Sequence, residues 1–152
     1  MFRDKFTRYN FIMRLNLSRL LIGLVLMINL QSAFMYLLWP ERYAPGFEMT
    51  GDIGAAMVRA LGVLFVMWNV PYVVALWNPT RHRIALYMAI AMQTIGLVGE
   101  TWIYLSLPPV HAAARASIMR FIIFDGLGLL ALLAAVWISR PTTYPNATSP
   151  EE

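Results

Sequence analysis

Four long apolar runs constrain this chain more than any other feature: Leu17–Trp39, Ile53–Trp77, Ile84–Leu107 and Ser117–Ile138. Each has the ~20 residues that a membrane-spanning helix needs. Bilayer hydrocarbon offers the backbone no water, so a spanning segment must satisfy its own N–H and C=O groups, and a helix does so. The runs are too long and too evenly apolar for barrel strands, which alternate over ~10 residues. Hydrophobic residues make up 59% of the chain and charged residues only 13%. A soluble domain carries about 25% charged residues. The fold class expected is all-α: an antiparallel bundle of four transmembrane helices filling residues 17–139. A basic segment precedes it (1–16) and a polar tail follows it (140–152).

The flanks carry the charge. Arg3, Lys5, Arg8, Arg14 and Arg19 stand before or at the start of the first span, Arg81 and Arg83 between the second and third, and Arg140 after the fourth. The opposite connections hold Arg42 and Arg115, with Arg59 and Arg120 at helix edges. By the positive-inside rule both termini face the cytoplasm. The high pI of 9.8 therefore reflects topology and not a nucleic-acid surface. The first run is full length and lacks a small-residue cleavage site, so it is expected to stay as an anchor. Within residues 1–16, Phe2, Phe6, Tyr9 and Met13 recur at helical spacing with basic residues mostly elsewhere. That pattern fits a short amphipathic helix in the headgroup plane; the plainer alternative is a basic tail that only sets topology.

Inside the spans, Pro71 in the second run cannot donate to the carbonyl of Met67, so a kink is expected beside Asn69. Residues 40–52, PERYAPGFEMTGD, read as the longest and most irregular connection, with Pro40, Pro45, Gly46 and Gly51. The six-residue connection NPTRHR makes the second and third helices antiparallel neighbours.

Several chemistries are excluded within this chain. There is no cysteine, hence no disulfide and no thiolate-held metal or iron–sulfur cluster. The two histidines, His82 and His111, fall in connections on opposite sides of the membrane, so no bis-histidine haem can form in the bundle. No phosphate loop, dinucleotide fingerprint or zinc-protease motif occurs. No spanning histidine is available for a hydrolase triad. No catalytic or metal residue is assigned.

A polar set remains: Asn29, Arg59, Asn69, Gln93, Glu100, Arg120 and Asp125. Gln93, Gly96, Glu100 and Tyr104 form one helical stripe. Taking Ile95 and Gly128 as helix centres, Glu100 lies about 7 Å and Asp125 about 4 Å toward the outer face, with both arginines about 12 Å out. Arg120 and Asp125 are about 140° apart on one helix. The expected pairs are therefore Asp125 with Arg59 and Glu100 with Arg120. An ion-pair network that fixes packing and a ligand or proton site both account for the set, because ionisable groups at membrane depth need partners or a task. Asn29 fits interhelical hydrogen bonding, worth ~0.6 kcal/mol on average, or a ligand role; Asn69, beside the Pro71 kink, fits a packing adjustment or the wall of a small pocket.

The first span reads Arg19-Leu-Leu-Ile-Gly23-Leu-Val-Leu, with Pro40 and then Phe47 following. Over residues 19–47 this resembles DoxX-like proteins, small four-helix bacterial membrane proteins, and the overall length and layout agree. Late in that helix this chain has Asn29 and Gln31 where the family pattern has Gly and Lys. The resemblance implies a bundle in the bacterial plasma (inner) membrane, with some members tied to quinone-linked redox complexes; no functional residue transfers. Two functions from different classes lead, ahead of a third, a proton or small-solute carrier that must oligomerise to build a pathway. One is a non-enzymatic accessory or structural subunit that packs with other membrane subunits or copies of itself. The other is a redox-associated component binding a quinone or similar lipid-soluble ligand near Asn69, Glu100 and Asp125.

Overall fold

The computed structural model describes the backbone of residues 2–140 and the side chains of residues 11–140. The proposed amphipathic face of residues 2–10 and the polar tail after Arg140 lie outside the described side chains. Among the described residues the chain is all-helical: α1 (Phe2–Leu38), α2 (Pro40–Tyr43), a 3-10 turn (Ala44–Phe47), α3 (Gly51–Trp68), α4 (Val70–Trp77), α5 (Arg83–Ser106) and α6 (Ala112–Ile138). Four stretches are long and apolar enough to cross a membrane: Phe11–Leu38, Gly51–Trp77, Arg83–Ser106 and Ala112–Ile138. The backbone of α1 runs from Phe2 without a break, so no change of secondary structure separates the basic segment from the first span.

Local chemistry explains where the helices stop. Pro40 disfavours helical geometry in the residue before it, and Trp39 leaves the helix at φ −133°, ψ 53°. Pro40 then opens α2, where its missing N–H costs nothing. This corrects the reading of residues 40–52 as irregular. Pro40 and Pro45 each lie at the start of a short helical turn, and the chain reverses through Glu48 (φ 59°) and Gly51 (φ 67°). The break expected beside Asn69 is present, with α3 ending at Trp68 and α4 starting at Val70. Asn69 bridges it. Its side-chain amide donates to the Phe65 carbonyl at 2.6 Å, and its own carbonyl accepts from the Val73 amide at 3.1 Å.

The bundle has two ends, named here for their connections. The turn end holds the Asn78–His82 reversal, where Asn78 Oδ1 accepts from the amides of Thr80 (3.2 Å) and Arg81 (3.1 Å). The loop end holds α2 and the 3-10 turn. Helix α1 packs on α3, α4 and α6, and α5 packs on α6 and α4, while α3 and α5 do not approach closely. The ring of helices is thus closed at the turn end and parted between α3 and α5 at the loop end. At the turn end a buried cluster joins Ile22, Val25 and Leu26 of α1 with Ala75, Leu86, Ala89 and Leu132. At the loop end the cluster is aromatic and lacks α5: Tyr36, Tyr43, Phe47, Phe65 and Phe121 around Val58.

Arginines close helix ends across the bundle. Arg14 donates to the Ile138 carbonyl at 3.0 Å, Arg19 to the Trp77 carbonyl, and Arg115 to the Tyr104 carbonyl at 2.7 Å and to Leu107. Each places a cation at the negative end of a helix dipole, a favourable site for it.

Candidate functional site

Helices α4, α5 and α6 bring four polar side chains together in the middle of the bundle. Gln93 on α5 is the centre and is 1% exposed. Its Oε1 accepts a hydrogen bond from the Tyr72 hydroxyl on α4, and its Nε2 donates to Asp125 Oδ1 on α6 at 2.8 Å. The Glu100 carboxyl lies beside that of Asp125. The order of the chain is therefore Tyr72, Gln93, Asp125, Glu100. It crosses three helices and runs from the turn-end core toward the loop end.

Glycines make the approach possible. A Cβ on Gly96 would collide with Asp125 Oδ2, and one on Gly128 would come 2.6 Å from Gln93 Nε2. Asp125 and Glu100 are half-buried. Oε2 of Glu100 is shielded yet meets no ordinary donor among the described residues.

Some expected members stand apart from this cluster. Arg59, expected to pair with Asp125, instead meets Glu41 at 3.3 Å in an exposed ion pair. Arg120, expected above Glu100, is exposed and its Nε donates to the Ala116 carbonyl of its own helix at 3.2 Å. Axial depth was read correctly enough to place these arginines near the loop end, but depth says nothing about direction around a helix. Asn69 serves the α3–α4 break, with its Oδ1 buried and unpaired among the described residues. Asn29 is half-buried on α1, with an unpaired Nδ2 on the same terms. Neither joins the four-residue chain.

Tyr72 is the member that the sequence reading missed. A phenol near the middle of an apolar run needs a hydrogen-bond partner when buried, and Tyr72 is 0% exposed. That requirement was the available signal.

A second polar arrangement sits at the loop end. Glu48 meets His111 Nδ1 at 2.6 Å and accepts weakly from the Ala114 amide in the first turn of α6 at 3.4 Å. Ser117 donates to the Gly46 carbonyl at 2.6 Å. The 3-10 turn and the residues after it are thereby clasped onto the start of α6. The hydrogen bond from His111 holds the Glu48 carboxyl below the usual carboxylate range. Among the described residues no group of three or more His, Cys, Asp or Glu is placed to hold a metal ion. The chain matches no protein-family model, no curated protein and no solved structure.

Proposed function

We propose that this protein is a non-enzymatic membrane component that binds a lipid-soluble ligand with a hydrogen-bonding head, of quinone type, at Glu100 and Asp125. The observation that carries the reading is a carboxyl pair within the spans that no arginine among the described residues neutralises. A carboxyl that holds a proton donates to a carbonyl oxygen, and a carboxylate accepts from a hydroxyl. Such a pair suits both the oxidised and the reduced form of a quinone head. Access is favoured from the lipid on the side where α3 and α5 part. Tyr72 and Gln93 hold Asp125 in place from the other side.

The test is titration of the detergent-solubilised protein with a short-tailed ubiquinone analogue, read by quenching of tryptophan fluorescence. Saturable quenching is expected, weakened about tenfold in Glu100→Gln or Asp125→Asn, as for loss of one charge-assisted hydrogen bond. Absence of saturable binding, or equal binding by both variants, rejects the ligand reading.

A second reading is an accessory subunit of a larger membrane assembly, in which the cluster only fixes helix packing. It is favoured by Gln93, whose two amide ends are both used within the chain. In that case the same variants change the size of the complex on a native gel and leave quenching unaltered. Residence in a bacterial plasma membrane with both termini in the cytoplasm belongs to either reading. The chain has no cysteine, and Asp52 and Arg81 are exposed at opposite ends. An impermeant thiol reagent should label Asp52→Cys in intact cells and spare Arg81→Cys; the opposite pattern reverses the topology.

A further inference from the structure

A groove of about 420 Å³ opens on the bundle surface between α4 and α5 at the turn end. Its walls are apolar: Val70, Pro71 and Val74 from α4 face Ile84, Ala85 and Met88 from α5. Its upper rim is basic, formed by Arg81, His82 and Arg83, and among the described residues no acidic side chain lines it. At 1.5 Å per residue the walls reach about 8–10 Å from the turn into the span. The helix break at Asn69 and Pro71 bounds the groove at depth, because α4 begins there. The rim is held in shape. Asn78 Oδ1 ties down the backbone of Thr80 and Arg81, and Pro79 is fully buried.

A cationic rim directly above an apolar trough matches one kind of molecule, an amphiphile with an anionic head. In a membrane the abundant molecule of that shape is an anionic phospholipid. We propose that this groove is an anionic-phospholipid site, with the phosphate among Arg81, His82 and Arg83 and the first part of an acyl chain along Val70, Val74 and Met88. Zwitterionic lipids share the chain but lack the net charge that the rim selects. Basic residues near a membrane surface each contribute on the order of 1 kcal/mol of attraction to anionic lipid. The site lies at the opposite end of the bundle from Glu48 and His111, and it does not depend on any ligand at Glu100 and Asp125.

The experiment uses the full chain in a neutral detergent with phosphatidylglycerol or phosphatidylcholine of identical acyl chains, read by native mass spectrometry and by thermal unfolding. A single retained phosphatidylglycerol and a raised Tm are expected, with phosphatidylcholine doing neither. The double variant Arg81→Ala with Arg83→Ala should bind phosphatidylglycerol about 30-fold more weakly. Val74→Trp fills the trough without touching a charge and should abolish the retained lipid; it keeps the test decisive if the arginine variant folds poorly. Arg42→Ala with Arg59→Ala removes equal charge at the loop end and should leave binding intact. Equal retention of both lipids, an equal loss in the Arg42 and Arg59 variant, or unchanged binding in Val74→Trp would overturn the proposal. So would full competition by free glycerol phosphate, which marks a bare anion site and not a lipid site.

Discussion

At the turn end four helices meet over aliphatic side chains; at the loop end three helices and a folded-back loop meet over aromatic rings, and α5 leans on α6 alone. The two ends use different physics. Lipid tails are as apolar as leucine, so spanning helices associate through close packing and hydrogen bonds and gain little from the hydrophobic effect. Small residues supply close packing at the turn end: Ala75, Ala89 and Ala135 are all fully buried. At the loop end, ring pairs such as Tyr36 with Tyr43 (5.1 Å) and Phe47 with Phe121 (6.0 Å) do the holding, at about 0.5–1.5 kcal/mol each. Rings fill volume without needing every backbone to be close. That is compatible with α5 standing away from α3, and with the Glu100–Asp125 pair lying between α5 and α6 where fewer helices crowd it.

The contrast can be broken most directly by cutting one residue from each cluster. Leu132→Ala at the turn end should cost about 2–5 kcal/mol, as for a fully buried leucine. Phe121→Ala at the loop end should cost roughly 1–2 kcal/mol, since the ring is only half-buried. Unfolding in mixed micelles measures both, and a reversed order would deny the distinction. Next in size is close approach. A side chain on Gly62 would press its Cβ to 3.0 Å from the Ala33 carbonyl, whereas Gly99 faces open space. Gly62→Leu should therefore lose about 1–3 kcal/mol, with Gly99→Leu near zero by the same assay. The polar chain comes third. Tyr72→Phe removes the hydroxyl that Gln93 accepts and should cost about 1 kcal/mol. A cycle with Gln93→Leu should show less-than-additive loss.

Acid should sharpen the comparison by acting on the loop end alone. Glu48 is held below its ordinary range by His111, so its contribution is present above the unfolded carboxylate pKa. It is lost as pH falls through the lower folded value, below about pH 4. Hydrogen exchange at residues 44–49 should rise in that window with α5 unchanged, and Glu48→Gln should remove the effect. The smallest change expected is Arg59→Leu. Its ion pair with Glu41 is exposed on both sides, so stability should move by less than ~1 kcal/mol. A large loss would return Arg59 to the Glu100–Asp125 pair.

Much of the fold was legible because bilayer thickness and backbone satisfaction leave few choices. The ends of the apolar runs fall within a few residues of the observed helices at most boundaries, and Pro71 marked the Asn69 break. The candidate site was legible in part. The Gln93–Gly96–Glu100 stripe identified the side of α5 that meets Asp125, because a glycine between two polar residues leaves room for a third. The arginine partners were not legible. A depth estimate fixes height along the membrane, while pairing also needs the rotation of each helix, which only packing sets. The loop was misread for a different reason: proline marks helix starts as well as helix breaks, and only the flanking φ and ψ values distinguish the two.

The arginines that cap neighbouring helices bear on how the protein is made. Arg14 and Arg19 both emerge from the ribosome with the first span, yet their acceptors are Ile138 at the end of the fourth and Trp77 at the end of the second. During synthesis Arg19 can dock once the second span has inserted, but Arg14 must wait for the fourth. The first helix thus registers docking of the fourth, since Arg14 is engaged only once the Ile138 carbonyl is in place. A chain stalled after the third span should present Arg14 unengaged, and the membrane quality-control machinery should clear it faster than the full-length protein. Pulse–chase of chains truncated at residue 108, with and without Arg14→Gln, would show whether the cell reads that signal.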